Sequence, residues 1–428
     1  MSEISIIPNT CLSGQINVPG DKFISQVATI LAALSQGKTP IKGFFMHEDC
    51  LNTLHALKTL GLRIERYNPD LVIIHGEGLG SLQEPCSAIN MGKSISGMQL
   101  LIGLLATQPF FSVLTGSQSL CENSINKFII PFLQCGATII GRQNNAFPPL
   151  AIKGGLRQPI RYAVHEFDIY LKSAILLAGL AIDGVSEVAE SAILYDHVER
   201  MIQLFNGEIH KENNTLSLTG GRELSATDII IPGDFSLAAY FIGAVLITKR
   251  SYLLIRNVCV NPTRTKLITI LKNMGAKIEL KNQREISGEP VCDIYTQSSA
   301  LKAIVIEEEI LYQMINEILI FCLIATQAKG NTIIKGLANL PYTYAHRITS
   351  LLEALKRFGG EIEQEEGTIV IHGGRELTGM HFNCHNNNHL GMTISIAGLI
   401  ARGKTTIENN EYIERIYPGF LNTLSSLS

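Results

Sequence analysis

Apolar and polar positions along the chain repeat as a unit of roughly 70 residues that recurs six times. Each unit opens on a helix rich in small residues and apolar on nearly every side. These helices run through Leu31-Ala32-Ala33-Leu34, Leu101-Ile102-Gly103-Leu104, Leu176-Leu177-Ala178-Gly179, Phe241-Ile242-Gly243-Ala244, Phe321-Cys322-Leu323-Ile324 and Ser395-Ile396-Ala397-Gly398. A helix without a polar face must be buried among other elements. β-Branched strands follow, starting near Thr39, Ser112, Val185, Ser251, Asn331 and Thr405. A second helix then alternates apolar and charged positions at helical spacing, as from His346 to Phe358 with Ile348, Leu351, Leu352 and Leu355 on one face. Five of these second helices end at a glycine, in Leu60-Gly61, Cys135-Gly136, Asn206-Gly207, Met274-Gly275 and Phe358-Gly359. Short strand pairs close the unit, as Glu361-Ile362-Glu363 and Thr368-Ile369-Val370-Ile371 around Gly367. The reading is an α/β fold of six β-α-β-α-β-β units, three per domain, with three apolar helices buried together in each.

Two similar segments stand in register with the repeats. Val18-Pro19-Gly20-Asp21 precedes the first unit and Ile231-Pro232-Gly233-Asp234 precedes the fourth. Proline followed by glycine punctuates strands and allows the backbone angles of a crossing. The pair predicts two strands crossing between domains, at Pro19-Gly20 and Pro232-Gly233. Residues 20–233 then form one domain, and residues 1–19 join 234–428 in the other.

Composition changes this picture little. At 428 residues, two cores are expected rather than one. A chain that is 46% hydrophobic and 17% charged belongs with soluble globular proteins. Mean hydropathy is +0.20. The longest apolar run, Ile318 to Ala325, falls short of the ~20 residues that span a membrane. No signal peptide and no membrane association are expected. A net charge of -3 gives no electrostatic reason to expect nucleic acid. Nine cysteines without framework spacing read as reduced thiols of a cytoplasmic protein.

Several segments together carry a family resemblance. They are Pro19-Gly20-Asp21-Lys22, Leu171-Lys172-Ser173-Ala174 through Leu180, Asp196-His197 with Glu199-Arg200-Met201, Ile231-Pro232-Gly233-Asp234 with Ala238-Ala239, Asn261-Pro262-Thr263-Arg264, and Tyr417-Pro418 with Phe420. In these, essentially over its whole length, the chain resembles the 5-enolpyruvylshikimate-3-phosphate synthases of the enolpyruvyl transferase family. The resemblance implies two inverse α/β domains that close like a clamp, as a monomer and without a cofactor. It implies transfer of a carboxyvinyl group from phosphoenolpyruvate to shikimate 3-phosphate, both held in the interdomain cleft. Two such anions require several Lys and Arg side chains, a carboxylate base and an acid.

The chain departs from the family pattern at those positions. Lys-Ser-x-Ser-x-Arg becomes Lys22-Phe23-Ile24-Ser25-Gln26-Val27. Gly-Asn-x-Gly-Thr-x-x-Arg becomes Gly92-Lys93-Ser94-Ile95-Ser96-Gly97-Met98-Gln99. Ser-Leu-Arg is Ser119-Leu120-Cys121, and Ser-Ala-Gln is Asp168-Ile169-Tyr170. The family's base positions are Asn316 and Tyr344. Val27, Gln99, Cys121, Thr343, Leu390 and Glu414 stand where the pattern has cations. Losing one partner of a buried charge pair costs about 2–5 kcal/mol. Six losses at the low end exceed the ~8 kcal/mol of a micromolar site.

The remaining candidates are Lys22 and Glu317 for catalysis, with Glu317 either a relocated base or a structural partner. Lys22, Lys93, Tyr170, Lys172, Asn339 and Arg347 are the candidates for substrate binding. Asp196 is expected to cap a helix rather than pair with the adjacent His197. His381, Cys384, His385 and His389 have metal-like spacing, but Asn386-Asn387-Asn388 breaks the helix they would need, and no metal is expected. Phe23, Tyr170, Tyr195, Tyr342 and Tyr344 place aromatics where the family has polar groups, which suits a less anionic ligand. Three functions stay open: a divergent enzyme on a less charged substrate, a non-catalytic binding or scaffold relative, and a synthase with compensating residues.

Overall fold

The computed structural model describes residues 3–8, 11–164, 168–384 and 388–427. They divide into two compact units. Unit N comprises Gly20–Pro232 with Glu285–Glu289, and unit C comprises Met1–Pro19, Gly233–Arg284 and Pro290–Ser428. Gly233 thus groups with unit C, one residue from the expected boundary. The tip 285–289 of the hairpin formed by Lys277–Ile286 and Glu289–Gln297 packs with unit N, because its polar atoms find partners there. Ser287 Oγ accepts from Ile230 N at 2.9 Å, and Gly288 O accepts from an Arg200 guanidinium N–H at 3.2 Å.

Within unit N, α1 (Lys22–Leu34), α3 (Ile95–Thr107) and α4 (Ile169–Leu180) are the expected apolar helices, and α2 (Glu48–Thr59) and α5 (His197–Leu204) are amphipathic. Each apolar helix begins at a side-chain cap. Asp21 accepts from Ile24 N at 2.9 Å, Ser94 from Gly97 N at 3.1 Å, and Asp168 from Leu171 N at 2.9 Å. Every residue of α1 after Lys22 is buried. Burying one Leu or Ile contributes about 1.5–3 kcal/mol, so an apolar helix of this length is held by its surroundings rather than by propensity. Close approach of α3 and α4 depends on Gly103, where a Cβ would sit 2.2 Å from Ala174 O.

The sheets of unit N share one pattern. Ile89–Asn90 runs parallel to Phe111–Thr115, which pairs antiparallel with Phe147–Lys153, itself antiparallel to Thr138–Gly141. A parallel pair requires a crossover, and α3 supplies it. Arg161–Val164, Gly184–Glu190, Thr215–Gly220 and Glu208–Glu212 repeat the arrangement around α4. The sheet of Ser35–Lys42 takes its parallel partners from Leu224–Ser225 and Ile229–Ile230.

Unit C closes with strands from the far end of the sequence. Ser13–Asn17 lies parallel to Tyr252–Cys259, and Glu3–Ile6 lies antiparallel to Thr405–Glu408. Its apolar helices are α6 (Phe235–Ile247), α7 (Ile318–Thr326) and α9 (Asn388–Ile400). All nine residues of α7 are buried. Helix α8 (Tyr342–Arg357) starts four residues before the expected His346. Pro341, at φ -52°, sets the backbone just before it, and proline is well suited to a helix start. Among the described residues, no helix is long and apolar enough to cross a membrane.

The two Pro-Gly-Asp segments each carry a long-range backbone bond within a unit. Asp21 N donates to Pro232 O at 2.8 Å, and Asp234 N donates to Pro19 O at 2.9 Å. A Cβ at Gly20 would lie 2.0 Å from Gly43 O, so only glycine fits there.

Candidate functional site

The capped N-terminus of α1 brings Lys22 to the surface of unit N, with 34% of its side chain exposed. Its ammonium is not free. Lys22 Nζ donates to Asp49 Oδ2, in the first turn of α2, at 2.8 Å. His47 Nδ1 lies 3.7 Å from the same carboxylate oxygen. Desolvation opposes the charge of Lys22, but Asp49, Tyr170 and Cys50 together outweigh it, and the lysine pKa rises well above its ordinary value. Desolvation likewise works against the Asp49 carboxylate. Lys22, His47 and a hydrogen bond from Ser94 overcome it and hold Asp49 below the ordinary carboxylate range. The pair is a locked, internally neutral unit.

Next to Lys22, the Phe23 ring packs edge-on against Tyr170, 5.4 Å between centroids, and lies 6.0 Å from His197. Tyr195 meets His197 at 5.8 Å. Phe23 is 4% exposed and Val27 is fully buried. Gln26, buried with them, donates to Thr53 Oγ1 at 3.1 Å and accepts from Ser96 Oγ at 3.0 Å. Where α1, α3 and α4 begin, unit N therefore presents packed aromatics and neutral hydrogen bonds. Lys93 is exposed just before α3, and Gln99 is half-buried within it.

Lys172 corrects an expectation. As a substrate-binding candidate it should face solvent or a ligand, yet its side chain is 1% exposed. Its ammonium donates to Glu190 Oε1 at 2.9 Å, to Tyr195 O at 2.5 Å and to Glu199 Oε1 at 2.6 Å. Three acceptors use all three N–H groups. Glu190 is also paired with Lys211, and burial pushes Glu199 above its ordinary value despite Lys172. This is an internal ion network.

Asp196 occupies the N-cap position of α5 without a capping bond. It accepts instead from Arg200 Nε at 2.9 Å, one turn on. The Nδ1 of His197 lies 2.8 Å from Glu289 Oε1 on the hairpin tip.

In unit C, Glu317 stands at the N-cap position of α7 and is 1% exposed. Ser236 Oγ donates to its Oε1. Burial pushes its pKa up to about 7, with Arg264 and Ser236 pulling the other way. Arg264 reaches Asp234 Oδ1 at 3.0 Å and Ser236 Oγ at 2.9 Å. Asn316 and Tyr344 are half-buried. Asn339 donates to Glu308 Oε1 at 2.9 Å, and its carbonyl accepts from Tyr312 Oη at 2.8 Å. Arg347 is exposed on α8. His381 lies in the strand His381–Asn383 and His389 in α9, while His385 lies outside the described residues.

A family model for EPSP synthase (3-phosphoshikimate 1-carboxyvinyltransferase) matches residues 6–424. The chain belongs to the EPSP synthase family. A 3-phosphoshikimate 1-carboxyvinyltransferase of Bacillus cereus is 40% identical over 429 residues, covering 100% of both chains. One of Brevibacillus brevis is 39% identical over 417 residues, covering 97% of this chain and 98% of the relative. The solved EPSP synthase of Acinetobacter baumannii superposes with a TM-score of 0.91 at 35% identity, covering 100% of this chain and 98% of that one. The architecture is the two-domain enolpyruvyl transferase fold of that family.

The sequence pointed to Lys22 as a candidate but gave no sign of Asp49, the carboxylate paired with it. It gave Glu199 only as a motif member, and Arg264 as a motif member and a compensating residue for a synthase. Asp49, Glu190 and Glu289 lie 27, 18 and 92 residues from the side chains they pair with, and no local pattern links such positions.

Proposed function

We propose that this member of the EPSP synthase family carries out carboxyvinyl transfer from phosphoenolpyruvate to shikimate 3-phosphate weakly or not at all. Its retained binding surface takes a less anionic small molecule. The observation that carries this reading is the packing at the start of α1. Phe23 is buried against Tyr170, Val27 is in the core, and Lys22 is neutralised by Asp49 at 2.8 Å. A phosphate or carboxylate recruited there would have to compete with Asp49 for the one lysine and would meet apolar rings beside it. Charge-assisted bonds to such groups need cations free to make them. Lys22, Lys93 and Tyr170 are the proposed ligand contacts of unit N, and Asn339 and Arg347 those of unit C.

A surviving synthase is the second reading. Its support is full-length 40% identity to named carboxyvinyltransferases, and the exposure of Lys93 and Arg347, which are in no ion pair among the described residues. Calorimetric titration with shikimate 3-phosphate, then with phosphoenolpyruvate added, separates the two. No heat from a folded protein is expected. Micromolar binding of either compound would overturn the proposal and restore the synthase. Absence of binding by uncharged cyclic polyols as well would leave a non-catalytic binding or scaffold protein.

A further inference from the structure

Glu317 joins three segments of unit C that are remote in sequence. Asp234 and Ser236 belong to the start of α6, and Arg264 ends the turn that begins at Asn261. Glu317 itself begins α7, where Phe321 N donates to its carbonyl at 3.0 Å.

The hydrogen bonds run in one direction. Arg264 donates to both Asp234 Oδ1 and Ser236 Oγ, so the Ser236 hydroxyl hydrogen is left to point at Glu317 Oε1. Asp234 Oδ1 also accepts from Ser236 N at 2.8 Å. Glu317 Oε2 is buried and makes no hydrogen bond among the described residues.

Two carboxyl groups therefore share one arginine, and that arginine is directed at Asp234. From α6, Tyr240 lies close enough to feel the Glu317 charge, and Arg347 of α8 acts on that same tyrosine. Helix α9 presents Thr393, which donates no charge. His372, on the strand Thr368–His372, is engaged with Glu363 and Asn331 instead.

A carboxylate with one unsatisfied oxygen, next to a second carboxylate and without its own cation, is costly while buried. Protonated, the same group is neutral and still accepts from Ser236.

We propose that Glu317 is a proton-operated latch joining the amino ends of α6 and α7 in unit C, closed when it is protonated and loosened when it ionises. The cost of ionisation falls on the interior, so relief comes from opening the first turn of α7 to water. The sign follows from linkage. A carboxyl held above its unfolded value of 4.5, at about 7, favours the closed form at low pH. That advantage is lost as pH rises through about 7, and above it the opening equilibrium levels off.

The test is amide hydrogen exchange of the full-length protein at pH 5 and pH 8, corrected for intrinsic rates and read at Phe321 to Leu323. Opening of this turn should increase at least ~10-fold at the higher pH, since one pKa unit corresponds to a tenfold change. Glu317→Gln, which cannot ionise, should abolish the increase. An increase that persists in Glu317→Gln, or a wild-type protein with no increase, would overturn the latch. Should Glu317→Gln not fold, Ser236→Ala serves. Removing the donor to Oε1 should move the transition to higher pH, and an unmoved transition would equally overturn the proposal.

Discussion

Lys172 and Lys22 show how little a cation's identity says about its role. Both belong to segments shared with the family, and both are held by carboxylates supplied from other helices or strands. Their surroundings separate them. Lys172 is buried among Glu190, Glu199 and Tyr195 O, so removing it strands the buried Glu199 carboxyl and leaves Glu190 with Lys211 alone. Lys172→Met is expected to lower the unfolding free energy by about 3–5 kcal/mol in urea titration. Unchanged stability would mean that the network is not what holds α4 to its neighbours. Asp49 gives a pH signature of opposite sign to that of Glu317. Its pKa is lowered from 3.8, so the stability it contributes is present above that value and is lost as pH falls through the folded one. Asp49→Asn should flatten the acid side of the stability profile below about pH 4, as followed by circular dichroism.

At the scale of elements, the apolar helices decide what each unit can tolerate. Gly103 lets α3 lie against the backbone of α4, and a methyl group there would stand 2.2 Å from Ala174 O. Gly103→Ala should therefore destabilise the protein by about 1–3 kcal/mol, although alanine is the better helix former. Phe23 is likewise an element-level residue. It fills the join between α1 and α4, and Phe23→Ala should cost about 3–5 kcal/mol in the same urea titration. A cost below 1 kcal/mol would show an open, ligand-sized space rather than a packed aromatic join. The helices themselves were legible in sequence because all-apolar segments of this length leave no alternative to burial. The start of α8 was misplaced because its first turn, Tyr342 to Ala345, lacks the apolar spacing on which the expectation rested.

At the scale of the whole molecule, chain order and spatial order differ. The strands Glu3–Ile6 and Ser13–Asn17 complete sheets whose other members lie beyond residue 250. A fragment of residues 233–428 would leave the edges at Tyr252–Arg256 and Thr405–Glu408 unpaired. It is expected to aggregate or to lack a cooperative transition, and addition of a peptide spanning residues 1–19 should restore soluble, folded material on size-exclusion chromatography. A fragment that folds alone would show those two strands to be dispensable. The sequence by itself determined the repeated unit, its strands and helices, and the family, because these rest on local periodicity and on backbone demands that a few residues meet. Only the tertiary structure decided the state of the charged side chains. Whether Lys22 faces Asp49, whether Lys172 has an N–H to offer, and whether Glu317 has a counter-charge all depend on carboxylates and donors brought together from distant elements. Charge is a property of a residue, but its availability to a ligand is a property of everything packed around it.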